Sequence, residues 1–286
     1  MNELLARVAL FSAIEAGHPY WSSEISTQGA LAVYEKLLSS GYDSIRNEKL
    51  IHALRQINPD QVLTEINKHD ARLITPIDDD WPEQVNDLAA PPIGLILKGN
   101  ISALHQSSLA IVGTRNPTSY GARIAGDFAA GFADREWAII SGGAYGIDSY
   151  AHKGALIAEG VTVAVVASGI DINYPAGNTR LFAEICESGA MVTEFMPGQR
   201  ALPHRFLTRN RLIASLSKAT LVVEAAFRSG SLRTARDAAE IFRPVMAIPG
   251  PINSPTSEGC HRLIGERAAE IVTSVADAVE FVGANQ

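Results

Sequence analysis

The chain has 286 residues, 47% of them apolar, and a formal net charge of −7 at pH 7. That suffices for one large domain, or one with a small companion, and excludes global disorder. No apolar run approaches the roughly 18–20 residues of a membrane helix, Glu3 precedes any basic residue, and Cys186 and Cys260 form no CxxC pair. The expectation is a cytoplasmic protein with reduced cysteines, no membrane contact and no metal site.

Residues 1–70 read as a helical module. Leu4, Leu5, Val8, Ala9 and Ala13 form one apolar stripe at helical spacing. Leu31, Val33, Tyr34, Leu37 and Leu38 form a second, and Leu50, Ile51, Leu54 and Ile57 a third. Gly17-His-Pro19, Gly41 and Asn58-Pro59 punctuate them, so about four helices are expected. The module carries no evident chemistry and reads as an interaction or packing element.

Arg72-Leu-Ile-Thr75 and Gly94-Leu-Ile-Leu97 are short strands, read as an edge addition to a larger sheet. Between them Asp78-Asp79-Asp80 is a solvated turn; consecutive carboxylates rarely converge on one ion. From Leu109 the chain alternates apolar strands with helices. Strands are expected around Ala110–Val112, Ala138–Ile140, Val161–Val166, Met191–Thr193, Thr220–Val223 and Val245–Ile248. Helices are expected after Ser119, around Ala151–Ala158 and Asn178–Ser188, and over Ser231–Phe242, with Ser119 as the first N-cap. The fold class is α/β: residues 71–286 form an extended Rossmann-like, doubly wound, mostly parallel sheet behind an all-helical module of residues 1–70.

Ligands of such sheets sit at the carboxyl ends of the strands. Those ends carry Gly113-Thr-Arg115, Ser141-Gly-Gly-Ala144 with Gly146, Ser168-Gly-Ile-Asp171, Glu224 with Ser229-Gly-Ser231, and Pro249-Gly250. Glycines let the backbone approach a ligand, and helix N-termini cradle anions. Each loop alone is equally well explained as a tight turn; together they favour phosphate. The window Met196–Val223 adds Arg200, His204, Arg205, Arg209, Arg211 and Lys218, with no Asp or Glu. Residues 1–107 hold 8 Lys and Arg against 14 Asp and Glu, whereas residues 108–286 hold 16 against 17. The excess acid therefore lies outside the part with the basic cluster, and a phosphate-rich partner is compatible with the acidic chain.

Several chemistries are not indicated. The chain has no G-x-G-x-x-G after the first core strand, no P-loop, no HExxH and no G-x-S-x-G. Asp148 and His152, four apart on one helix face, read as a capping and packing pair rather than a catalytic dyad.

In order and spacing, several pieces resemble one family, DNA-processing protein A (DprA, also called Smf). They are Ala110-Ile-Val-Gly-Thr-Arg115, Ser141-Gly-Gly-Ala-Tyr-Gly-Ile-Asp148, Tyr174-Pro175 with Asn178, Arg209-Asn-Arg-Leu-Ile-Ala214, Glu224-Ala225 and Ala247-Ile-Pro-Gly250. The resemblance spans roughly Arg72 to Val282. It implies a single-stranded DNA-binding protein, without catalytic residues or cofactor, that loads the RecA recombinase during natural transformation, often as a homodimer. Carried over, the DNA site comprises Gly113, Thr114, Arg115, Ser141, Gly142, Gly143, Ala144, Gly146, Arg205, Phe206, Arg209, Asn210, Arg211, Ser229 and Gly230. It also implies an N-terminal helical module of the SAM or helix-hairpin-helix kind. The C-terminal winged helix of many members is expected to be absent here. The family's aromatic-proline step is Phe206-Leu207-Thr208 in this chain, which leaves that turn open. Phe206 and Tyr174 can stack on bases, or Phe206 can pack in the core; Asn210 can touch DNA or orient its loop. Two other functions stay open: a nucleotide-binding, phosphoribohydrolase-like enzyme, though its P-G-G-x-G-T-x-x-E string is missing, and a nucleotide-sensing module.

Overall fold

In the computed structural model, which describes residues 1–39 and 41–284, the N-terminal stripes form five helices rather than four. They are α1 (Glu3–Ala13), α2 (Pro19–Gln28), α3 (Ala30–Leu38), α4 (Glu48–Gln56) and α5 (Pro59–Asn67). Helix α2 was hidden from periodicity because it buries only Trp21, Ser22 and Ile25. Local chemistry marks the starts instead. Proline opens both α2 and α5, and the Asn58 side chain accepts from the backbone N–H groups of Asp60 and Gln61.

The remaining elements are β1 (Ala71–Ile74), β2 (Leu95–Gly99), β3 (Ser108–Val112), α6 (Ser119–Ala133), β4 (Ala138–Ser141), α7 (Ile147–Ile157) and β5 (Thr162–Val165). There follow α8 (Thr179–Ser188), β6 (Ala190–Thr193), α9 (Pro203–Leu216), β7 (Ala219–Val222), α10 (Ser231–Glu240), β8 (Val245–Ala247), α11 (Glu258–Gly265), β9 (Glu270–Ile271) and α12 (Val275–Ala284). The strands form one sheet in the order β1-β2-β6-β5-β4-β3-β7-β8-β9. All neighbours from β6 to β9 pair in parallel, and β1 and β2 add antiparallel beyond β6. This is the expected mostly parallel, doubly wound sheet with its two-strand edge. The two-residue β9 was missed because it is too short and exposed to carry an apolar run.

Chain direction along the sheet reverses at β3, which lies between β4 and β7. Consecutive connections diverge there, opening a crevice at the strand carboxyl ends. Helices cover both faces. On one, Phe128, Phe132, Ile147 and Ala151 pack over Leu109, Ile111 and Leu221. The N-terminal module shares a core with the sheet: Leu10, Phe11, Val33, Leu37, Leu54 and Ile66 join Ile96, Ala164, Phe182 and Met191. Burying each such large side chain contributes about 1.5–3 kcal/mol, so the module is firmly seated.

Two local expectations change. The N-cap of α6 is Thr118, whose Oγ1 accepts from Gly121 N at 3.2 Å, rather than Ser119. The Arg-Asn-Arg triplet lies within helix α9, not on a loop. Its periodicity was masked because Arg205, Arg209 and Asn210 occupy buried positions that a sequence reading reserves for apolar residues.

Candidate nucleic-acid interface

Helical geometry divides the basic cluster. Along α9, residues 206, 209, 210 and 213 share one face, and 204, 208 and 211 another. The first face, with Leu207 at its edge, lines a groove of about 360 Å³ at the crevice beside β3. The other walls are Val112–Arg115 after β3, Ala144 and Asp148 before and within α7, and Ala226 with Arg228–Ser231 and Thr234 around the start of α10.

Arg209 forms the floor. Its side chain is buried, and Nη1 donates to Val165 O at 2.9 Å. Burial lowers its pKa to about 10, with Asp148 opposing the shift and Arg115 adding to it, so it stays cationic at neutral pH. Asp148 shifts the other way. Burial raises its carboxyl pKa, while Arg209 and the N–H groups of Ala144 and Gly142 pull it back. Its Oδ2 accepts from Gly142 N at 3.1 Å and Ala144 N at 3.3 Å, which shapes the loop after β4. Gly142 is required here, because a β-carbon would fall on the Arg209 guanidinium. Gly113 is required too: a β-carbon would lie 2.6 Å from Ile147 Cγ1 and 2.8 Å from Glu224 O.

An aromatic and basic platform stands at the mouth. The Arg115 guanidinium lies 5.1 Å from the Phe206 ring centroid, and the Tyr174 ring 5.6 Å from it. Arg209 lies 5.9 Å from the same ring. Arg115 and Arg228 are exposed and make no ion pair among the described residues. Asn210 Nδ2 donates to Gly230 O at 3.2 Å and so ties α9 to the loop before α10. That loop leads into the N-terminus of α10, whose start has no side-chain cap and presents positive dipole to the groove.

Of the residues expected from sequence, Gly113, Thr114, Arg115, Ala144, Phe206, Arg209, Asn210, Ser229 and Gly230 come together in this groove. Six others do not line it. Ser141 is buried in β4, where its Oγ donates to Ile111 O at 2.6 Å. Gly142 backs Arg209, Gly143 (φ +67°) packs against Phe182, and Gly146 (φ +81°) packs against the Thr114–Arg115 backbone. Arg205 pairs with Glu15 of the helical module at 2.8 Å and lies 4.9 Å from the Phe195 ring. Arg211 pairs with the buried Glu194 at 2.6 Å. Sequence reasoning overlooked Arg228, Asp148, Ile213 and Thr234 as groove residues. Reading α9 as a helix from Pro203 would have found Ile213, and would have turned Arg211 away.

Glycine-rich strand ends, a buried arginine floor and an aromatic-arginine mouth define a Rossmann-like protein with an arginine-lined groove at its switch point. The sequence profile of the family described as DNA recombination-mediator protein A matches residues 72–283, and the chain belongs to that family. It is 47% identical over 225 residues to the putative DNA processing protein DprA of Mycobacterium tuberculosis, covering 74% of this chain and 58% of that protein. It is 44% identical over 201 residues to protein Smf of Escherichia coli, covering 70% of this chain and 54% of that one. The matched region thus spans little more than half the length of these relatives. Among solved structures, DNA processing protein A from Streptococcus pneumoniae superposes with a TM-score of 0.76 at 36% identity, covering 82% of this chain and 81% of that one. The protein from Helicobacter pylori, whose structure concerns its single-stranded DNA binding mode, gives 0.67 at 27% identity, covering 75% and 94%.

Proposed function

We propose that this chain binds single-stranded DNA in the groove beside β3, without cleaving or modifying it. The observation that carries the reading is the triad at the mouth, Arg115 over Phe206 with the Tyr174 ring tilted beside it. A single strand presents unpaired base faces together with phosphates, and this triad offers a stacking surface and a guanidinium at one point. Arg228, the start of α10 and the charge of Arg209 beneath supply further attraction for phosphate. Ring stacking and phosphate pairing do not depend on base identity, so binding is sequence-tolerant and salt-dependent.

The carboxylates nearby support binding rather than catalysis. Glu224 is buried, and both its oxygens are engaged by Thr118, with Thr256 adding a further hydrogen bond. Asp148 is held by backbone N–H groups. Family membership extends the proposal to a cytoplasmic mediator that, as a homodimer, hands its strand to the RecA recombinase.

The test is fluorescence anisotropy with labelled oligo-dT at two salt concentrations. Arg115→Ala is expected to weaken binding about tenfold and to reduce the slope of log affinity against log salt by about 0.7, one phosphate contact on a single strand. An unchanged affinity and slope would overturn the reading. Turnover of a nucleoside monophosphate with release of free base would instead favour an enzyme.

A further inference from the structure

Beside the groove stand three tyrosines with large exposed surfaces. Tyr174, Tyr145 and Tyr150 are 46%, 51% and 44% exposed. None of their hydroxyls makes a hydrogen bond among the described residues, whereas Tyr42 bonds Glu24 and Tyr120 bonds Pro249 O. Exposed aromatic rings contribute little to the fold, and a contiguous set marks a contact surface.

Their placement is continuous with the groove. Tyr174 touches Phe206 at the mouth. Three residues on, Gly177 lies directly beneath Tyr145: a β-carbon there would be 2.5 Å from Tyr145 Oη and 3.2 Å from its ring. The next residue, Gly146, packs on the Thr114–Arg115 backbone. Tyr145 therefore stands against the Tyr174–Gly177 segment, one residue from the backbone that meets the Arg115 loop. Tyr150 follows in the first turn of α7, and Lys153 Nζ lies 5.9 Å from its ring centroid. Lys153 makes no ion pair with a carboxylate among the described residues. Three rings and then a cation thus lie from the groove mouth onto α7.

We propose that Tyr145 and Tyr150, with Lys153, form a second station for nucleotides of a single strand that is anchored at Arg115 and Phe206. Tyr145 and Tyr150 stack on bases leaving the groove, and Lys153 meets the accompanying phosphate. The station rests on the single-stranded DNA reading of the groove. It adds a direction: the strand leaves over α7 rather than over α10.

Affinities for dT6 and dT20 separate the two ideas. In the unaltered chain dT20 binds more tightly than dT6, because only the longer strand reaches both stations. In Tyr145→Ala/Tyr150→Ala this gain collapses by about tenfold or more, two lost base stacks. Tyr145→Phe/Tyr150→Phe retains it, since the rings remain. Lys153→Ala lowers the dT20 salt slope by about 0.7. Arg115→Ala lowers both affinities and keeps their ratio. Ultraviolet crosslinking of 5-iododeoxyuridine-substituted dT20, read by peptide mass, is expected to mark Tyr145 or Tyr150. A dT20/dT6 ratio unchanged in the double alanine variant, or crosslinks confined to the α10 side, overturns the station and leaves the groove standing. Failure of the unaltered chain to bind either oligonucleotide removes both.

Discussion

Arg211 Nη2 donates to both carboxylate oxygens of Glu194, each at 2.6 Å, with the two side chains only 13% and 3% exposed. The most conspicuous basic motif of the sequence thus turns one of its two arginines inward. Gly17 of the helical module closes over the pair, its β-carbon position 3.2 Å from Arg211 Nε and 2.7 Å from Thr208 Cγ2. Arg211 therefore ties α9 to the segment after β6, beneath the helical module.

Removing Arg211 leaves a carboxylate buried without its partner. Arg211→Ala is expected to cost about 3–5 kcal/mol in urea unfolding. The protein that remains folded keeps most of its oligo-dT affinity, unlike Arg115→Ala. The deficit depends on pH. Burial already raises the Glu194 pKa, with Arg211 pulling it back and Glu15 adding to the rise. A raised carboxyl pKa means the folded state holds its proton more readily than the unfolded one, so stability falls as pH rises through the folded value. Losing Arg211 raises that value further. The variant's deficit should shrink from about pH 8 to about pH 5, as Glu194 becomes neutral and needs no partner. A deficit independent of pH would refute this assignment.

Gly142 and Arg209 form a second coupled pair. An alanine β-carbon at 142 would lie 2.5 Å from Arg209 Cζ and 2.7 Å from Nη2, and closer still to Nη1. Gly142→Ala is expected to displace the guanidinium from Val165 O and cost about 1–3 kcal/mol. In an Arg209→Ala background the same change meets open space and costs little. A double-mutant cycle by urea unfolding measures the difference, and simple additivity would contradict the geometry.

What the sequence disclosed follows from how locally each feature is encoded. The parallel strands were legible because strands buried on both faces are continuous apolar runs such as Ala110-Ile-Val112. The groove loops were legible because close backbone approach admits few residues besides glycine, as at Gly113. Helix α9 was not, because its buried positions carry Arg205, Arg209 and Asn210, whose partners lie far away in sequence. Charge density placed Arg205, Arg209 and Arg211 together; only helix phase and the distant carboxylates Glu15 and Glu194 separate them. Arg228 was passed over because it stands alone beside Ser229-Gly230, outside the basic window Met196–Val223.

Phe206 was open between core packing and base stacking. It is half-buried, with Arg115, Arg209 and Tyr174 around its ring. Phe206→Leu keeps much of the apolar volume and removes the aromatic face. Oligo-dT affinity is expected to fall by about 1–3 kcal/mol, whereas unfolding stability changes by less than about 1.5 kcal/mol. Phe206→Trp should retain binding. Anisotropy and urea unfolding on the same preparations check both, and a loss of stability without loss of affinity would assign Phe206 to packing alone.

His152 makes the fold acid-sensitive from within. Its ring is fully buried, and Nδ1 lies 2.7 Å from Thr162 Oγ1. The Thr162 hydroxyl donates to Ile139 O at 2.7 Å, so it must accept from His152, which places the proton on Nδ1. Nε2 is left buried with no partner. Burial, reinforced by the positive charge of Arg209, lowers the His152 pKa to about 3. A base whose pKa is depressed on folding stabilises the native state above its unfolded value, and that stability is lost as pH falls through the interval between the two. Relative to an ordinary histidine near pH 6.5, the loss is about 2 kcal/mol by pH 5. Asp148, one turn earlier on α7 and with a raised pKa, acts in the opposite sense, so the total profile does not isolate His152. The comparison with His152→Gln does, because glutamine has no proton to gain and can keep a hydrogen bond to Thr162. Urea unfolding at about pH 7 and pH 5 is expected to show the unaltered chain losing about 2 kcal/mol more than the variant over that range. Parallel profiles would mean that the ring is charged, or exposed, in the folded protein.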